Sequence, residues 1–238
     1  MSRRSFEVED RNQAELEEYR AWFTMCEHVL VDLGANRGDT ILRWLTEETY
    51  SGRARSSIID EIYSLSQRQS FCVLSFEPNG IFESKLLEIE KKLCNNGYKV
   101  KVKLRTAVSD RFAESLIYLD DVSTYSYGTS LLSEKKVNFE GKFHALGNEQ
   151  PVTLVDLTSI LKVLPDKVEL VVKMDIEGSE YDVLRSLIST GIACKMNILI
   201  VEYHAHKLRK GTVPKGVNEA IEWILESKKC GVRIVHDD

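Results

Sequence analysis

The chain has 238 residues, of which 43% are hydrophobic and 29% are charged. This length suits one α/β domain over residues 1–238 and is sufficient to bury a full hydrophobic core. A formal net charge of -5 argues against a sequence-independent nucleic-acid partner, which requires a basic surface. The lysines between residues 99 and 103 alternate with valines, a pattern typical of the solvent face of a strand.

The cysteines are five in number, scattered, and never spaced as C-x-x-C. This distribution predicts neither a disulfide framework nor a structural metal, and it favours a reducing, cytoplasmic location. No apolar run is long enough to span a bilayer, and the charged first ten residues lack the apolar core of a signal peptide. We therefore expect a soluble protein with no membrane partner.

The hydrophobic pattern alternates between buried-strand runs and runs with the spacing of amphipathic helices. After an N-terminal helical extension over 1–27, the predicted strands are 28–33, 71–76, 100–108, 168–174, 197–202 and 232–236. The predicted helices are 40–49, 58–66, 81–93, 180–188 and 217–227. Because strands alternate with helices, we predict βαβ units and a doubly wound, mostly parallel sheet.

Residues 111–153 interrupt this alternation with glycines and short apolar runs. We expect an antiparallel insertion at the carboxyl edge of the sheet, where α/β folds bind their ligands. Variable loops on a rigid sheet usually carry specificity, so this insertion is expected to form a lid over an acceptor. The candidate lid residues are Tyr118, Tyr125, Tyr127 and His144. A surface hairpin that only covers the sheet edge is the alternative.

The most informative segment is Asp32-Leu33-Gly34-Ala35-Asn36-Arg37-Gly38, where an apolar strand enters a small-residue loop that opens a helix. Gly34 and Gly38 allow the backbone close to a ligand, and the N–H groups that begin the helix can bind a carboxylate. Asp32 can accept from an ammonium group, so the pattern favours a zwitterionic amino-acid ligand. The dinucleotide fingerprint G-x-G-x-x-G is absent. An ordinary strand-to-helix turn with a buried cap is the alternative.

A second acidic residue, Glu77, ends the next predicted strand in Phe76-Glu77-Pro78-Asn79. A carboxylate in this position can bind two ribose hydroxyls, as the acidic residue of dinucleotide folds does. The alternative is a charge favoured by the start of a helix, with Asn79 as its cap.

Two later strands also end in charged side chains. Period-two geometry puts Lys173, Asp175 and Glu177 on one side of the first strand, and the second strand ends with Glu202 and His204. If these strands are neighbours, the carboxylates and His204 share one crevice. A salt-bridged network around Lys173 with a solvated His204 is the alternative.

Taken in order, these segments resemble the motifs of the FkbM-type methyltransferases over about 29–204, and the Lys-x-Asp-x-Glu-Gly-x-Glu block at 173–180 is the most distinctive. The further matching segments are Ala107-Val108-Ser109-Asp110, Val152-Thr153-Leu154-Val155-Asp156-Leu157 and Val201-Glu202-Tyr203-His204. The chain departs from the family in a longer first crossover and in ending before the final antiparallel strand.

The resemblance implies a Rossmann-like class I methyltransferase fold, S-adenosyl-L-methionine as methyl donor, and O-methylation of a sugar, glycan or small metabolite. By position, it implies that Asp32, Gly34, Asn36 and Gly38 hold the methionine end, Glu77 the ribose, and Ser109 with Asp110 the adenine edge. It also implies that Asp175 faces the transferred methyl group.

Because a hydroxyl acceptor is a weak acid, we expect a base beside it, and His204 titrates in the useful range. We assign His204 as base and Asp175 as the positioning group, with the reverse assignment as the alternative. No metal is expected, although Asp175, Glu202 and His204 form the one group suited to a hard divalent ion. Two other functions remain open: a catalytically silent cofactor-binding or scaffolding module, and, more distantly, a nicotinamide-dependent oxidoreductase.

Overall fold

The structure is a computed structural model that describes residues 3–46, 48, 62–122, 126, 128–133, 135–205 and 213–237. Its α-helices are α1 (Arg3–Phe23), α2 (Asp39–Thr46), α3 (Leu65–Arg68), α4 (Glu83–Asn95), α5 (Leu157–Lys162), α6 (Glu180–Ser189) and α7 (Val217–Leu225). Its strands are β1 (His28–Leu33), β2 (Cys72–Glu77), β3 (Lys99–Leu104), β4 (Thr106–Ser109), β5 (Ala113–Tyr118), β6 (Lys136–Phe139), β7 (Lys142–Ala145), β8 (Glu149–Asp156), β9 (Glu169–Met174), β10 (Ile198–Val201) and β11 (Arg233–His236).

The central sheet has six strands in the order β11-β10-β9-β1-β2-β3, and every neighbouring pair is parallel. Helices cover both faces, because α1, α5, α6 and α7 contribute to one hydrophobic cluster and α2 and α4 to another. The prediction of a doubly wound, mostly parallel sheet is therefore confirmed. Within the described ranges, no helix is both long and apolar enough to cross a bilayer.

One predicted strand is wrong in its extent. The sequence predicts a single strand over 100–108, but the backbone of Arg105 is left-handed, with φ of 50°, and divides it into β3 and β4. The apolar alternation runs through this break, so the pattern alone does not reveal it. β3 remains at the edge of the central sheet, whereas β4 begins a second sheet of three strands in the order β4-β8-β5.

A second boundary also differs from its prediction. Residues 58–61 of the predicted helix 58–66 lie outside the described residues. Ser64 is not inside a helix but is the N-cap of α3, where its side chain accepts from the backbone N–H of Gln67 and the Gln67 side chain accepts in return. The polar side chain of Ser64 therefore begins a helix where the periodicity predicts that one ends.

The segment after β4 forms the antiparallel insertion. β5 pairs antiparallel with β8, and β6 pairs antiparallel with β7 in a separate hairpin. β8 continues past residue 153 to Asp156, whose carboxylate caps α5 by accepting from the N–H groups of Thr158 and Ser159. Of the expected lid residues, Tyr118 ends β5 and His144 lies in β7, while Tyr125 and Tyr127 lie outside the described residues.

The lysine-bearing face of β3 is covered by α1. Lys101 and Lys103 both lie close to the Glu18 carboxylate, with N–O distances of 2.7 and 3.4 Å. The hydrogen bond from Lys101 lowers the pKa of Glu18. These lysines therefore serve an intramolecular contact, and the face of β3 that carries them is partly covered by α1 and not open to solvent as the sequence pattern predicts.

The expectation of no disulfides is wrong. Cys26 is bonded to Cys72, and Cys194 to Cys230, while Cys94 is free and exposed. In each pair the two cysteines lie at or just before the amino ends of neighbouring parallel strands: β1 and β2 for the first pair, β10 and β11 for the second. Parallel pairing brings together residues that are distant in sequence, so their spacing gave no signal. The argument from scattered cysteines to a reducing compartment therefore loses its support.

Candidate functional site

The loop after β1 lies against the carboxyl ends of β2 and β9. The N–H groups of Gly34 and Ala35 both donate to the Phe76 carbonyl, at 3.1 and 3.0 Å. Gly34 has φ of 87°, and a Cβ built there would lie 2.0 Å from the Asp175 carbonyl oxygen. Glycine is therefore required at position 34 because two strand ends and the loop converge there.

Glu77 fixes this loop from the end of β2. Its two carboxylate oxygens accept from the backbone N–H groups of Asn36, at 2.6 Å, and of Asn79, at 2.8 Å. Burial raises the pKa of Glu77 to about 7, against the opposing effect of those two hydrogen bonds. Each oxygen keeps a second lone pair, so the carboxylate is still able to accept from two ligand hydroxyls.

A row of polar side chains crosses the strand ends on the α2 face of the sheet. Asp32 is in register with Ser75 on one side and with Lys173 on the other. The Ser75 hydroxyl donates to Oδ2 of Asp32 at 2.7 Å, and Asp237 extends the row, with its carboxylate 4.0 Å from the Lys173 ammonium. Oδ1 of Asp32 is buried and has no hydrogen-bond partner among the described residues.

The charges in this row compensate one another. Burial raises the pKa of Asp32, although Lys173 and the Ser75 hydrogen bond act in the opposite direction. Burial acts to lower the pKa of Lys173, but Asp175, Asp32 and Asp237 together raise it. Lys173 is therefore a buried cation beside carboxylates that lie at, or one residue beyond, the carboxyl ends of β1, β9 and β11.

Gly38 has a packing role in the structure. Its φ is 83°, and an added Cβ would lie 2.6 Å from Cδ1 of Ile89 and 3.1 Å from Cδ2 of Leu86, both in α4. The amide of Gly38 donates to the Ala35 carbonyl. The loop amides at positions 34, 35, 36 and 38 all donate within the protein, so these four N–H groups are already used in holding the loop.

The turn after β9 is organised by Glu180, which is completely buried. Its carboxylate accepts from the N–H groups of Ile176 and Gly178. Glu177, between them, has φ of 58°, a conformation that costs free energy for a non-glycine residue and is maintained by surrounding contacts.

His204 is also completely buried, and its ring is oriented by the same carboxylate. Nδ1 of His204 lies 2.9 Å from Oε1 of Glu180. On the other side of the ring, Nε2 lies 3.3 Å from Glu202, 3.4 Å from Glu177 and 3.8 Å from Asp175. The prediction that these four side chains share one crevice holds in the structure, and the alternative of a solvated His204 is wrong.

The insertion reaches this group of side chains. The Ser130 hydroxyl donates to the Glu177 carbonyl at 2.7 Å, and the ammonium of Lys135 pairs with the Glu177 carboxylate. Gln150 in β8 binds the other loop of the site, accepting from the Gly80 amide and donating to the Pro78 carbonyl. The insertion therefore contacts the loops after both β2 and β9.

A metal ion is one possible occupant of this region. Asp175, Glu177 and His204 each offer a ligand atom, and these atoms lie within 4.8 Å of one another. The Lys135 ammonium already contacts the Glu177 carboxylate, so a divalent ion would have to compete with a buried cation. We therefore interpret the three residues as an ion-paired group.

Ser109 and Asp110 lie apart from these contacts, at the end of β4 in the second sheet. Asp110 pairs with Arg111 at 3.1 Å and approaches Arg185 of α6 at 3.9 Å. The structure brings together Asp32, Gly34, Asn36, Glu77, Asp175 and His204 at one edge of the sheet. Among the described residues, Ser109 and Asp110 instead contact each other, Arg111 and Arg185.

Sequence reasoning missed four residues of the site: Ser75, Lys135, Glu180 and Asp237. Glu180 is the last residue of the distinctive block at 173–180, and this position in the motif is the sequence feature that could have indicated its role. The roles of Ser75 and Asp237 follow from strand register, and that of Lys135 from the path of the insertion.

A doubly wound parallel sheet with acidic residues at the ends of β1 and β2 and a charged crevice beside them defines a Rossmann-like methyltransferase fold. The Methyltransferase FkbM domain matches residues 32–234. The chain belongs to this methyltransferase family.

A solved structure similar to this chain is the Methyltransferase FkbM from Methylobacillus flagellatus KT. It is 15% identical, with a TM-score of 0.37, and the match covers 69% of this chain and 29% of that one. No protein of curated function matches the chain.

Proposed function

We propose that this protein transfers a methyl group from S-adenosyl-L-methionine to a hydroxyl of a sugar, glycan or small metabolite. The observation that carries the proposal is that Glu77, which fixes the loop after β1, and His204, which is oriented by Glu180, lie at the same edge of the sheet. The Glu77 carboxylate is suited to bind a ribose, and His204 is suited to act as the proton acceptor. We propose no nucleic-acid or membrane partner.

The residues of the loop fit the donor. Glu77 keeps lone pairs for the two ribose hydroxyls, and Oδ1 of Asp32 keeps an acceptor for the ammonium group. The donor's carboxylate is assigned to the first turn of α2, where the N–H groups and the helix dipole favour an anion. Ser109 and Asp110 remain the proposed contacts of the adenine edge.

When bound, the donor supplies a methyl group on a positively charged sulfur, and the protein aligns the acceptor with it. Asp175 is partly exposed, with 28% of its side chain accessible, so its carboxylate can accept from the acceptor hydroxyl and orient it. With Nδ1–H donating to Glu180, Nε2 of His204 is the atom that takes the hydroxyl proton. The carboxylates around Nε2 stabilise the imidazolium that forms.

Calorimetry tests the donor site directly. S-adenosylhomocysteine is expected to bind with a dissociation constant of about 1–10 μM, and NAD is expected not to bind. Asp32→Ala and Glu77→Ala are each expected to weaken binding by about 1–3 kcal/mol as charge-assisted hydrogen bonds are lost. Unchanged affinity in both variants would exclude these residues from the donor site.

Methyl-labelled donor tests the reaction. Label is expected in a hydroxylated acceptor from a panel of glycans, small metabolites and proteins, with RNA as a negative control. Donor binding without transfer to any acceptor would instead favour a catalytically silent member of the family.

A further inference from the structure

Two residues of the insertion bind Glu177, one through its backbone and the other through its side chain. Ser130 donates to its backbone carbonyl, and Lys135 pairs with its carboxylate. Lys135 has no solvent exposure, and the Glu177 side chain is 12% exposed. This contact is therefore inside the protein, although the insertion is separate from the central sheet.

The path of the insertion explains why Lys135 reaches this position. Ser130 forms an antiparallel bridge with Tyr118 at the end of β5. The amide of Lys135 donates to the Leu132 carbonyl, and β6 begins at the next residue. A Cβ added to Gly128 would lie 1.9 Å from Cγ1 of Val137, so the segment that carries Lys135 is closely packed at both of its ends.

A buried ammonium is costly unless it is paired. Nε2 of His204 faces carboxylates from Asp175, Glu177 and Glu202 at 3.3 to 3.8 Å. The Asp175 and Glu177 carboxylates lie within 4.8 Å of each other and repel unless a cation lies beside them. A divalent ion held by carboxylate oxygens is one such cation. Here a lysine from the insertion contacts the most buried of the three.

We propose that Lys135 is a positioning residue that acts as the internal counter-cation of the Asp175, Glu177 and His204 group, in the place that a divalent metal ion would otherwise occupy. It holds the Glu177 carboxylate beside His204 and makes the crevice functional without metal. The role in turnover rests on the proposed function, whereas the exclusion of metal does not.

Titration with Mn²⁺ alone, in the absence of donor, tests the exclusion of metal. We expect no stoichiometric Mn²⁺ binding to the wild type, at least tenfold tighter binding to Lys135→Met, and wild-type behaviour in Lys135→Arg, which keeps the charge. Stoichiometric Mn²⁺ binding to the wild type, or equal binding to all three proteins, would overturn the proposal.

Kinetics test the positioning role. Lys135→Met is expected to lower kcat at least tenfold with KM for the donor within twofold, and Lys135→Arg to restore most of kcat. Excess chelator is expected to leave wild-type turnover unchanged. Equal kcat in wild type and Lys135→Met, or loss of turnover in chelator, would contradict it. If no methyl transfer is found at all, the Mn²⁺ titration still decides the metal question.

Folding of Lys135→Met is checked by thermal unfolding. If this variant does not fold, the double variant Lys135→Met with Glu177→Gln is expected to fold, because it removes the uncompensated carboxylate together with its partner. Failure of the double variant to fold would show that Lys135 has only a packing role and would overturn the proposal.

Discussion

At the scale of the residue, Glu77 shows how a buried carboxylate organises a site. It satisfies two backbone N–H groups in two different loops, those of Asn36 and Asn79. Because burial raises its pKa to about 7, the folded protein binds a proton here that the unfolded chain releases at lower pH.

This linkage predicts a pH-dependent stability. The contribution of Glu77 protonation to the free energy of unfolding is fully present below about pH 4 and is lost as pH rises through 7. The free energy of unfolding decreases by about 3 kcal/mol over this range. Glu77→Gln removes the titration, so its Tm relative to wild type is expected to rise between pH 5 and 8. Thermal unfolding of both proteins without donor measures this difference, and a constant difference across the range would contradict the prediction.

Gly34 and Gly97 offer a matched comparison of backbone strain. Both have positive φ, of 87° and 88°, but only Gly34 faces an atom that a Cβ would strike. Gly97→Ala is expected to cost about 1 kcal/mol, the ordinary penalty of the left-handed region. Gly34→Ala is expected to cost several times more and to abolish S-adenosylhomocysteine binding, because the loop must move away from Asp175. Similar denaturation midpoints for the two variants would exclude this explanation.

His204 is the residue whose replacement tests the proton transfer. His204→Ala is expected to reduce turnover by about a hundredfold with donor affinity nearly unchanged, since general-base catalysis contributes factors of about 10²–10⁴. Turnover within a few-fold of wild type would exclude His204 and leave Asp175 as the base. Asp175→Asn measured in parallel distinguishes the two assignments. An amide can still position the acceptor but cannot act as a base, so turnover is expected to fall much further if Asp175 is the base.

The residues that sequence could identify are those whose position follows from the end of a strand. Asp32, Glu77, Asp175 and His204 each terminate a predicted apolar run, and the carboxyl ends of parallel strands meet at one edge of the sheet. Lys135 has no such signal, because its partner depends on how the insertion packs.

At the scale of the element, the disulfides join the amino ends of neighbouring strands. Cys26 lies before β1 and Cys72 begins β2, with Cα atoms 5.9 Å apart. We expect alkylation without reductant to label Cys94 alone, and mass spectrometry to find the other four cysteines paired. Labelling of all five cysteines would contradict the pairing.

Removing the first of these bonds tests its contribution to stability. Cys26→Ser with Cys72→Ser is expected to lower the free energy of unfolding by about 2–4 kcal/mol, because the open chain has more conformational freedom. Cys94→Ser is the control and is expected to change it little. Denaturant midpoints under oxidising conditions measure both, and equal midpoints would show that the bond does not stabilise the fold.

Element boundaries were the least predictable level. The break at Arg105 follows from a single left-handed residue, and the apolar alternation on either side of it is uninterrupted. A pattern of hydrophobicity reports which face a residue occupies but not which sheet it joins.

At the scale of the whole molecule, the parallel sheet and its two helical layers were predictable because strand and helix periods alternate along most of the chain. The insertion was predictable as a break in that alternation. Its contacts with the loops after β2 and β9 depend on individual side chains, Gln150 and Ser130 among them, which no periodic pattern identifies.

The two disulfides also determine how the chain responds to proteolysis. Each bond closes a covalent ring, from 26 to 72 and from 194 to 230. A single peptide bond cut within either ring leaves both fragments joined, so a nicked molecule keeps its apparent mass on a gel until the sample is reduced. Cleavage after Glu77 and before Cys194, by contrast, yields two fragments with no covalent link, one carrying Asp32 and Glu77 and the other carrying His204.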